Sequence, residues 1–332
     1  MTADVVKCGM EQVRLGNSGL QVSPICLGTM TFGMQANETD AFAILDTAAD
    51  AGVTFLDTAD VYPLRGEPGT TEEIVGRWLH GKRDEFVVAT KCGMPLGPEP
   101  WQKGCSRNHI LSSVEASLRR LGTDHIDLYQ LHCYDPLTPL DETLGALDSL
   151  VRSGKVRYLG CSNWLAYQLA LALGRSDVHE WERFVCVQPR YNLLHRAMEC
   201  ELVPLCLDQG IGMIPYNPLA GGLLTGKHRH VDPPAPDSRF GMSPIYRTLY
   251  WRAEEFDTVD ALEPLAREAG LSLATLAVAW TLARPAVTSS IVGASRAAQL
   301  RDSLAATTVS LDADLLRELD RVTAPHRGGP PI

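Results

Sequence analysis

Phe55-Leu56-Asp57-Thr58-Ala59-Asp60-Val61-Tyr62 opens apolar and closes polar. Residues 53–57 read as a buried β-strand that stops at a carboxylate, and a phenol follows five positions later in the next loop. The same layout recurs downstream. Residues 86–91 run into Thr90-Lys91, residues 126–132 into Gln130-Leu131-His132, and residues 156–162 into Cys161-Ser162-Asn163. Helix patterns separate these strands. Residues 71–79 form one, with Thr70 or Thr71 as N-cap and Glu72 and Glu73 in the first turn. Residues 107–121 stop at Gly122, and residues 140–153 end at Gly154.

Working outward, the alternation continues to both ends. Residues 13–22 read as a hairpin turning on Asn17-Ser18-Gly19, residues 25–28 as a strand and residues 39–51 as an amphipathic helix. After residue 162 come a helix (166–173), a strand (184–188), a helix (201–209) and a strand (211–216). Helices at 258–268 and 273–283, a strand at 289–292 and helices at 297–305 and 312–322 complete the chain. Eight βα units with no composition break predict one (β/α)8 barrel domain across residues 1–332, its core at 13–322, with the N-terminal hairpin and an extra C-terminal helix. A doubly wound sheet would carry GxGxxG after its first strand. The chain has Gly28-Thr29-Met30-Thr31-Phe32-Gly33 there, which does not match. Two connections are long, residues 95–106 and 217–256, as binding loops are at the carboxyl ends of barrel strands.

Composition bounds the function. The 332 residues are 45% hydrophobic, ample for a core, and the net charge of −10 repels nucleic acid and anionic membranes. No apolar run is long enough to span a bilayer, and Met1-Thr2-Ala3-Asp4 has no apolar leader core. Nine cysteines, an odd number without CxxC, read as reduced thiols of a cytoplasmic protein, with Cys92, Cys133 and Cys161 as small packing residues. No metal site is expected. The segment from Gly221 to Lys227 spells GxxxxGK, but His228 replaces the Ser or Thr that would hold magnesium. The tract His228-Arg229-His230 lacks carboxylate or thiol company and reads as a solvated loop. Nothing determines the oligomer, and a homo-oligomer stays open.

Asp57, Tyr62, Lys91 and His132 sit at or just past three successive strand ends, so a barrel would gather them at one mouth. Each alone has a plain structural reading: a strand-end Asp, an ordinary salt bridge, a core histidine. Together they suit carbonyl reduction. A phenol is a slow acid at neutral pH, and a nearby ammonium lowers its pKa. Lys91 is placed to do this with Asp57 as its partner, and His132 can donate to a carbonyl oxygen. Aromatic walls are expected from Phe32, Tyr62, Trp101, Tyr134, Trp164 and Tyr191, suiting a sugar face or an aryl ring.

At these residues the chain resembles the aldo-keto reductase superfamily, in the branch of potassium-channel β-subunits, aryl-alcohol reductases and antibiotic-sugar ketoreductases. The resemblance runs from about Val13 to Val322. Its markers include Leu121-Gly122-Thr123-Asp124-His125-Ile126-Asp127-Leu128-Tyr129-Gln130-Leu131-His132, Gly154-Lys155-Val156-Arg157-Tyr158-Leu159-Gly160-Cys161-Ser162-Asn163 and Val187-Gln188-Pro189-Arg190-Tyr191-Asn192. It implies a single barrel, reduction of an aldehyde, ketone or ketosugar by NADPH, and Tyr62 as general acid with Asp57, Lys91 and His132. Ser162, Asn163 and Gln188 would hold the nicotinamide carboxamide and Tyr216 would stack on the ring. Asn217, Pro218, Leu219, Gly221, Leu223 and Lys227 would line the diphosphate. Ser295, Arg296 and Gln299 would hold the adenosine end, and Gly28, Thr29, Met30, Asp57, Gly293, Asp302 and Ser303 complete the cofactor set. Arg296, opening a helix after the last strand, suits the 2′-phosphate of NADP. Ser303 stands where the family usually has Asn, which weakens the adenine grip. Two rivals remain: a nucleotide-sensing subunit with little turnover, and Lys91 as a Schiff-base nucleophile.

Overall fold

The structure, a computed structural model, describes residues 10–236 and 238–328. Met1-Thr2-Ala3-Asp4 and Cys8 lie outside the described residues. Among the described residues ten strands occur in the order β1 (Val13–Arg14), β2 (Gln21–Val22), β3 (Ile25–Gly28), β4 (Phe55–Asp57), β5 (Val87–Cys92), β6 (Ile126–Leu131), β7 (Val156–Ser162), β8 (Phe184–Gln188), β9 (Gly212–Met213) and β10 (Ser290–Gly293). β1 and β2 pair antiparallel. The other eight form one parallel sheet, ordered β10-β3-β4-β5-β6-β7-β8-β9. Bridges Met213↔Val287 and Tyr216↔Ile291 join its two edges, with Thr288 N–H donating to Met213 O at 2.8 Å and Ile291 N–H to Pro215 O at 2.9 Å. Eight parallel strands closed this way make the (β/α)8 barrel.

The helices are α1 (Glu38–Asp50), α2 (Thr70–Leu79), α3 (Arg107–Leu121), α4 (Leu140–Arg152), α5 (Ala166–His179), α6 (Leu202–Gln209), α7 (Arg239–Met242), α8 (Pro244–Tyr250), α9 (Ala253–Glu268), α10 (Leu273–Leu282), α11 (Leu300–Ala305) and α12 (Ala313–Val322). Local chemistry sets several ends. Asn37 Oδ1 accepts from Asp40 N–H at 2.9 Å at the start of α1, and Gly122, at φ 63°, closes α3. Four expectations change. Neither Thr70 nor Thr71 caps α2: Gly69 does, because the Thr71 hydroxyl donates to Phe32 O at 2.9 Å and that of Thr70 to Glu67 O at 2.8 Å. α5 runs six residues further than its apolar pattern implies, to His179. The strand expected at 211–216 is regular only at Gly212–Met213. The loop expected at 217–256 holds α7, α8 and the start of α9.

Strand period sorts the core. Outward-facing Leu27, Leu56, Val88, Tyr129, Leu159, Val187 and Val292 join the large cluster under the helices. Inward-facing Cys26, Phe55, Ala89, Leu128, Cys186, Ile214 and Ile291 form a second cluster inside the barrel. Leu15 and Val22 of the hairpin complete that layer and close the amino-terminal end. Gly160 is required by close approach: a Cβ there would lie 2.7 Å from Cys186 Sγ and 3.1 Å from Gln130 Cγ. α12 is held by a charge network in which buried Arg196 pairs with Glu199 at 2.7 Å and Asp320 at 3.0 Å. Among the described residues no helix is long and apolar enough to cross a membrane.

Candidate active site

Two residues along each strand from the inner apolar layer, the inward positions turn polar. Phe55 gives way to Asp57, Ala89 to Lys91, Leu128 to Gln130 and Cys186 to Gln188. Lys91 Nζ donates to Asp57 Oδ1 at 2.5 Å and to Thr58 O at 2.8 Å. Gln130 and Gln188 donate to the other Asp57 oxygen at 3.0 and 2.9 Å. Lys91 is fully buried and Asp57 only 3% exposed, so this ion pair depends on the hydrogen bonds that Thr58, Gln130 and Gln188 add to it.

Tyr62 stands above the pair. Its carbonyl accepts Gly69 N–H at 3.0 Å and Thr71 N–H at 3.3 Å, which ties it to the start of α2. Lys91 Nζ lies 5.3 Å from the centre of the Tyr62 ring. His132 meets that ring edge-on at 5.6 Å. Burial, then the Lys91 ammonium, bring the His132 pKa down to about 3, so its imidazole is neutral at neutral pH and Nδ1 has no partner. The phenol goes the other way from expectation. Burial first, then Asp57 and Tyr246, push the Tyr62 pKa well above its ordinary value. The nearby Lys91 ammonium does not outweigh these, because it is paired with Asp57, whose carboxylate raises the phenol pKa. Tyr62 is therefore held protonated.

The residues expected to hold a nicotinamide form one connected patch beside this tetrad. Ser162 Oγ donates to Gln188 O at 2.8 Å. Asn163, at φ 59°, donates to His132 O at 3.0 Å and accepts the Tyr216 hydroxyl at 2.9 Å. Thr29 donates through its N–H and its hydroxyl to Asp57 O, at 3.0 and 2.9 Å, next to half-buried Met30. Beyond Tyr216 the backbone turns left-handed at Asn217 (φ 64°), Ala220 (49°), Gly221 (70°) and Gly222 (103°), and Asn217 Oδ1 accepts Gly221 N–H at 2.6 Å. The N–H groups of this run are kept within it, Ala220 donating to Asn217 O at 2.9 Å and Gly222 to Leu219 O at 2.8 Å, so the turn shapes the rim of the mouth and leaves the Lys227 ammonium as the group open to a diphosphate. A Cβ on Gly222 would meet nothing closer than 3.9 Å, next to the exposed Lys227. Pro218 is buried and Leu219 half-buried, whereas Leu223 packs fully into the core and offers only its backbone.

The adenosine set is less open. Gly293 at the end of β10 and Arg296 beyond it are exposed, but Gln299 Oε1 already accepts Ser295 N–H at 2.8 Å and Arg296 N–H at 3.3 Å. The expected helical anion cradle there is occupied by a side chain, leaving the Arg296 guanidinium as the available group. Asp302 is exposed, and Ser303 is buried in α11 rather than presented to a ligand.

Half of the expected aromatic wall is corrected. Phe32 (0% exposed), Trp164 (1%) and Tyr191 (1%) belong to the large core and have no face to offer. Trp164 is wedged between Tyr134 and Phe184, at 5.0 and 5.4 Å, and Tyr191 packs on Trp280 and donates to Glu199 at 2.7 Å. Trp101 is 60% exposed on the turn Pro100–Gln102, and Tyr134 is half-buried. The residues that do pack on Ala59, Val61 and Tyr62 are Met30, Met94 and Leu96. Met94 and Leu96 carry no sequence signal beyond being apolar after a strand end. Arg239 and Tyr246 were also missed. Both act on the Tyr62 phenol, and the Arg239 guanidinium lies 5.1 Å from the Tyr246 ring centre. Only the basic, aromatic character of the long connection hinted at them.

Among the described residues no group of three or more His, Cys, Asp or Glu side chains is placed to hold a metal ion, and the eight described cysteines are free thiols. Comparison with known proteins agrees with the geometry. The uncharacterized oxidoreductase YrpG of Bacillus subtilis is 39% identical, over 96% of this chain and 98% of its own length. A putative aryl-alcohol dehydrogenase of Schizosaccharomyces pombe is 35% identical over 94% of this chain and 95% of its own. A probable voltage-gated potassium channel subunit beta of Arabidopsis thaliana is 39% identical over 90% and 92%. The family model described as "Aldo/keto reductase family" matches residues 24–324, and with that match over the barrel and its mouth, the chain belongs to the aldo/keto reductase family.

Proposed function

We propose that this protein is an NADPH-dependent carbonyl reductase acting on an aldehyde, ketone or ketosugar. A bound reduced nicotinamide supplies hydride to the carbonyl carbon. The observation that carries the reading is a protonated phenol and a neutral imidazole side by side over a buried Lys–Asp pair, linked by hydrogen bonds to the amide patch of Ser162, Asn163 and Gln188. The residues fit a nicotinamide there: Asn163 and Gln188 carry the carboxamide's complementary groups, and the half-exposed Tyr216 ring offers a stacking face.

His132 orients the carbonyl oxygen by donating to it, and Tyr62 gives that oxygen its proton as negative charge develops. Lys91 acts on what is left behind. The phenolate that forms on Tyr62 lies beside the ammonium, so the charge appearing late in the step is one that Lys91 favours and Asp57 opposes. The Schiff-base reading is disfavoured by the same contacts, since the Lys91 nitrogen is engaged by Asp57 and Thr58. Arg296 reading the 2′-phosphate favours NADPH over NADH. The protein would then act on a small molecule in the cytoplasm, with no nucleic acid or membrane as partner.

The test is steady NADPH consumption with a panel of aryl, aliphatic and sugar carbonyls. Tight NADPH binding without turnover on any of them would replace this reading by the nucleotide-sensing one, which the name of the Arabidopsis relative also suggests.

A further inference from the structure

One buried cation has no role in the chemistry above. Arg190 lies two residues past the end of β8 and is 8% exposed. Its Nη2 reaches only the His195 ring, at 3.2 and 3.3 Å. That ring is no counter-charge: burial, then Arg190 itself, bring the His195 pKa down to about 3. Among the described residues no carboxylate lies within 4.0 Å of Arg190. The contrast stands six residues on, where Arg196 is fully buried and pairs with both Glu199 and Asp320. A buried guanidinium without an anion is costly, and a fold that neutralises one arginine in this loop leaves its neighbour open.

Its surroundings face the mouth. The Arg190 backbone bridges Tyr216, and the guanidinium carbon lies 5.8 Å from the centre of the Tyr250 ring. The Tyr250 hydroxyl accepts from Asn217 at 3.0 Å, the residue that opens the left-handed run. The charge is felt there, since Arg190 opposes the upward push of burial on both Tyr216 and Tyr250.

We propose that Arg190 is the protein half of an oxyanion site between the ends of β8 and β9, whose anion arrives with a ligand. Two ligands carry such a group: the diphosphate of the cofactor, and a carboxylate on the carbonyl substrate. The proposal rests on the reading that a nicotinamide nucleotide binds at this mouth.

Arg190→Met keeps the unbranched stem and removes the charge. Wild type and variant are compared by titration with NADPH, by melting with and without inorganic pyrophosphate, and by kcat/KM for 4-carboxybenzaldehyde against benzaldehyde. Without ligand the variant melts higher, because an unpaired buried charge is gone. Pyrophosphate raises the melting temperature of wild type and not of the variant. A Kd for NADPH weaker by roughly ten- to a hundredfold marks the cofactor diphosphate. An unchanged Kd with a comparable loss of preference for the carboxylate-bearing aldehyde marks the substrate. A variant that melts lower, with affinity and preference both within about threefold of wild type, overturns the proposal and makes Arg190 a brace for His195 and Tyr250. If wild type binds no NADPH, the cofactor reading fails by itself. The pyrophosphate melts then decide Arg190 alone.

Discussion

The inside of the barrel has two floors built from the same strands. On the lower one, Cys26, Phe55, Ala89, Leu128, Cys186, Ile214 and Ile291 pack with the hairpin residues Leu15 and Val22. On the upper one, two positions along, stand Asp57, Lys91, Gln130 and Gln188. Both floors are buried, yet one is held by apolar contact and the other by charge and hydrogen bonds. The period of a strand makes this economical: side chains two apart share a face, so the floor that stabilises the barrel is also the foundation of the floor proposed to do chemistry. Damage below should lower stability and leave the rate alone. Damage above should do the reverse, except where it strands a buried charge.

The sharpest break is Tyr62→Phe. It removes one oxygen at the top of the upper floor and should lower kcat by roughly 10²–10⁴-fold while NADPH affinity and melting temperature hold. Activity within a few-fold of wild type would take the proton-donor role from Tyr62. Lys91→Met tests the exception. It leaves the Asp57 carboxylate buried and unpaired, at a cost of about 3–5 kcal/mol of stability as well as rate. A variant that melts like wild type would show that the pair is not a structural element of the upper floor.

Leu128→Ala is the counterpart below. Opening a cavity at a fully buried site should cost about 2–5 kcal/mol, read by chemical denaturation, with kcat unchanged. A large drop in kcat at full folding would mean that the floors are coupled.

The pH dependence of stability sharpens the picture on the upper floor. His132 titrates at about 3 in the folded protein, below the ordinary histidine value of ~6.5 expected when unfolded. The unfolded chain therefore takes up the proton first, and stability falls as pH drops from ~6.5 towards about 3. His132→Gln should flatten part of that fall, seen in urea titrations at several pH values. His195, His109, His228 and His326, shifted in the same direction, contribute to the rest. The smallest effect expected is from Arg296→Ala. The loss of one exposed charge-assisted contact should weaken NADPH by about 1.5–3 kcal/mol and NADH little. Equal loss for both cofactors would show that Arg296 shapes its loop instead of reading a phosphate.

The barrel and its tetrad were legible because both rest on local pattern. Strand runs ending at Asp57, Lys91 and His132 announce their own register, and parallel connection brings strand ends together whatever the details. The walls were not legible. Phe32, Trp164 and Tyr191 follow strand ends as a pocket wall would, yet each turned into the layer beneath the helices, where an aromatic ring buries the most area. Met94 and Leu96 took the place beside Tyr62 with nothing in their residue type to mark it. The pKa of Tyr62 also escaped. Proximity to Lys91 suggested a lowered value, but desolvation and the Asp57 charge depend on what surrounds the phenol in three dimensions.

The sequence by itself determined the order of elements, the parallel barrel and the four groups gathered at its mouth. These depend on the two-residue period of strands and on caps that act within a few positions. Only the tertiary structure decided which side chains pack beside Tyr62, which N–H groups Gln299 keeps for itself, how the backbone turns after Asn217 and that Arg190 has no carboxylate partner among the described residues. Those outcomes turn on contacts between segments far apart in the chain, where packing and desolvation outweigh what any neighbour in sequence prefers.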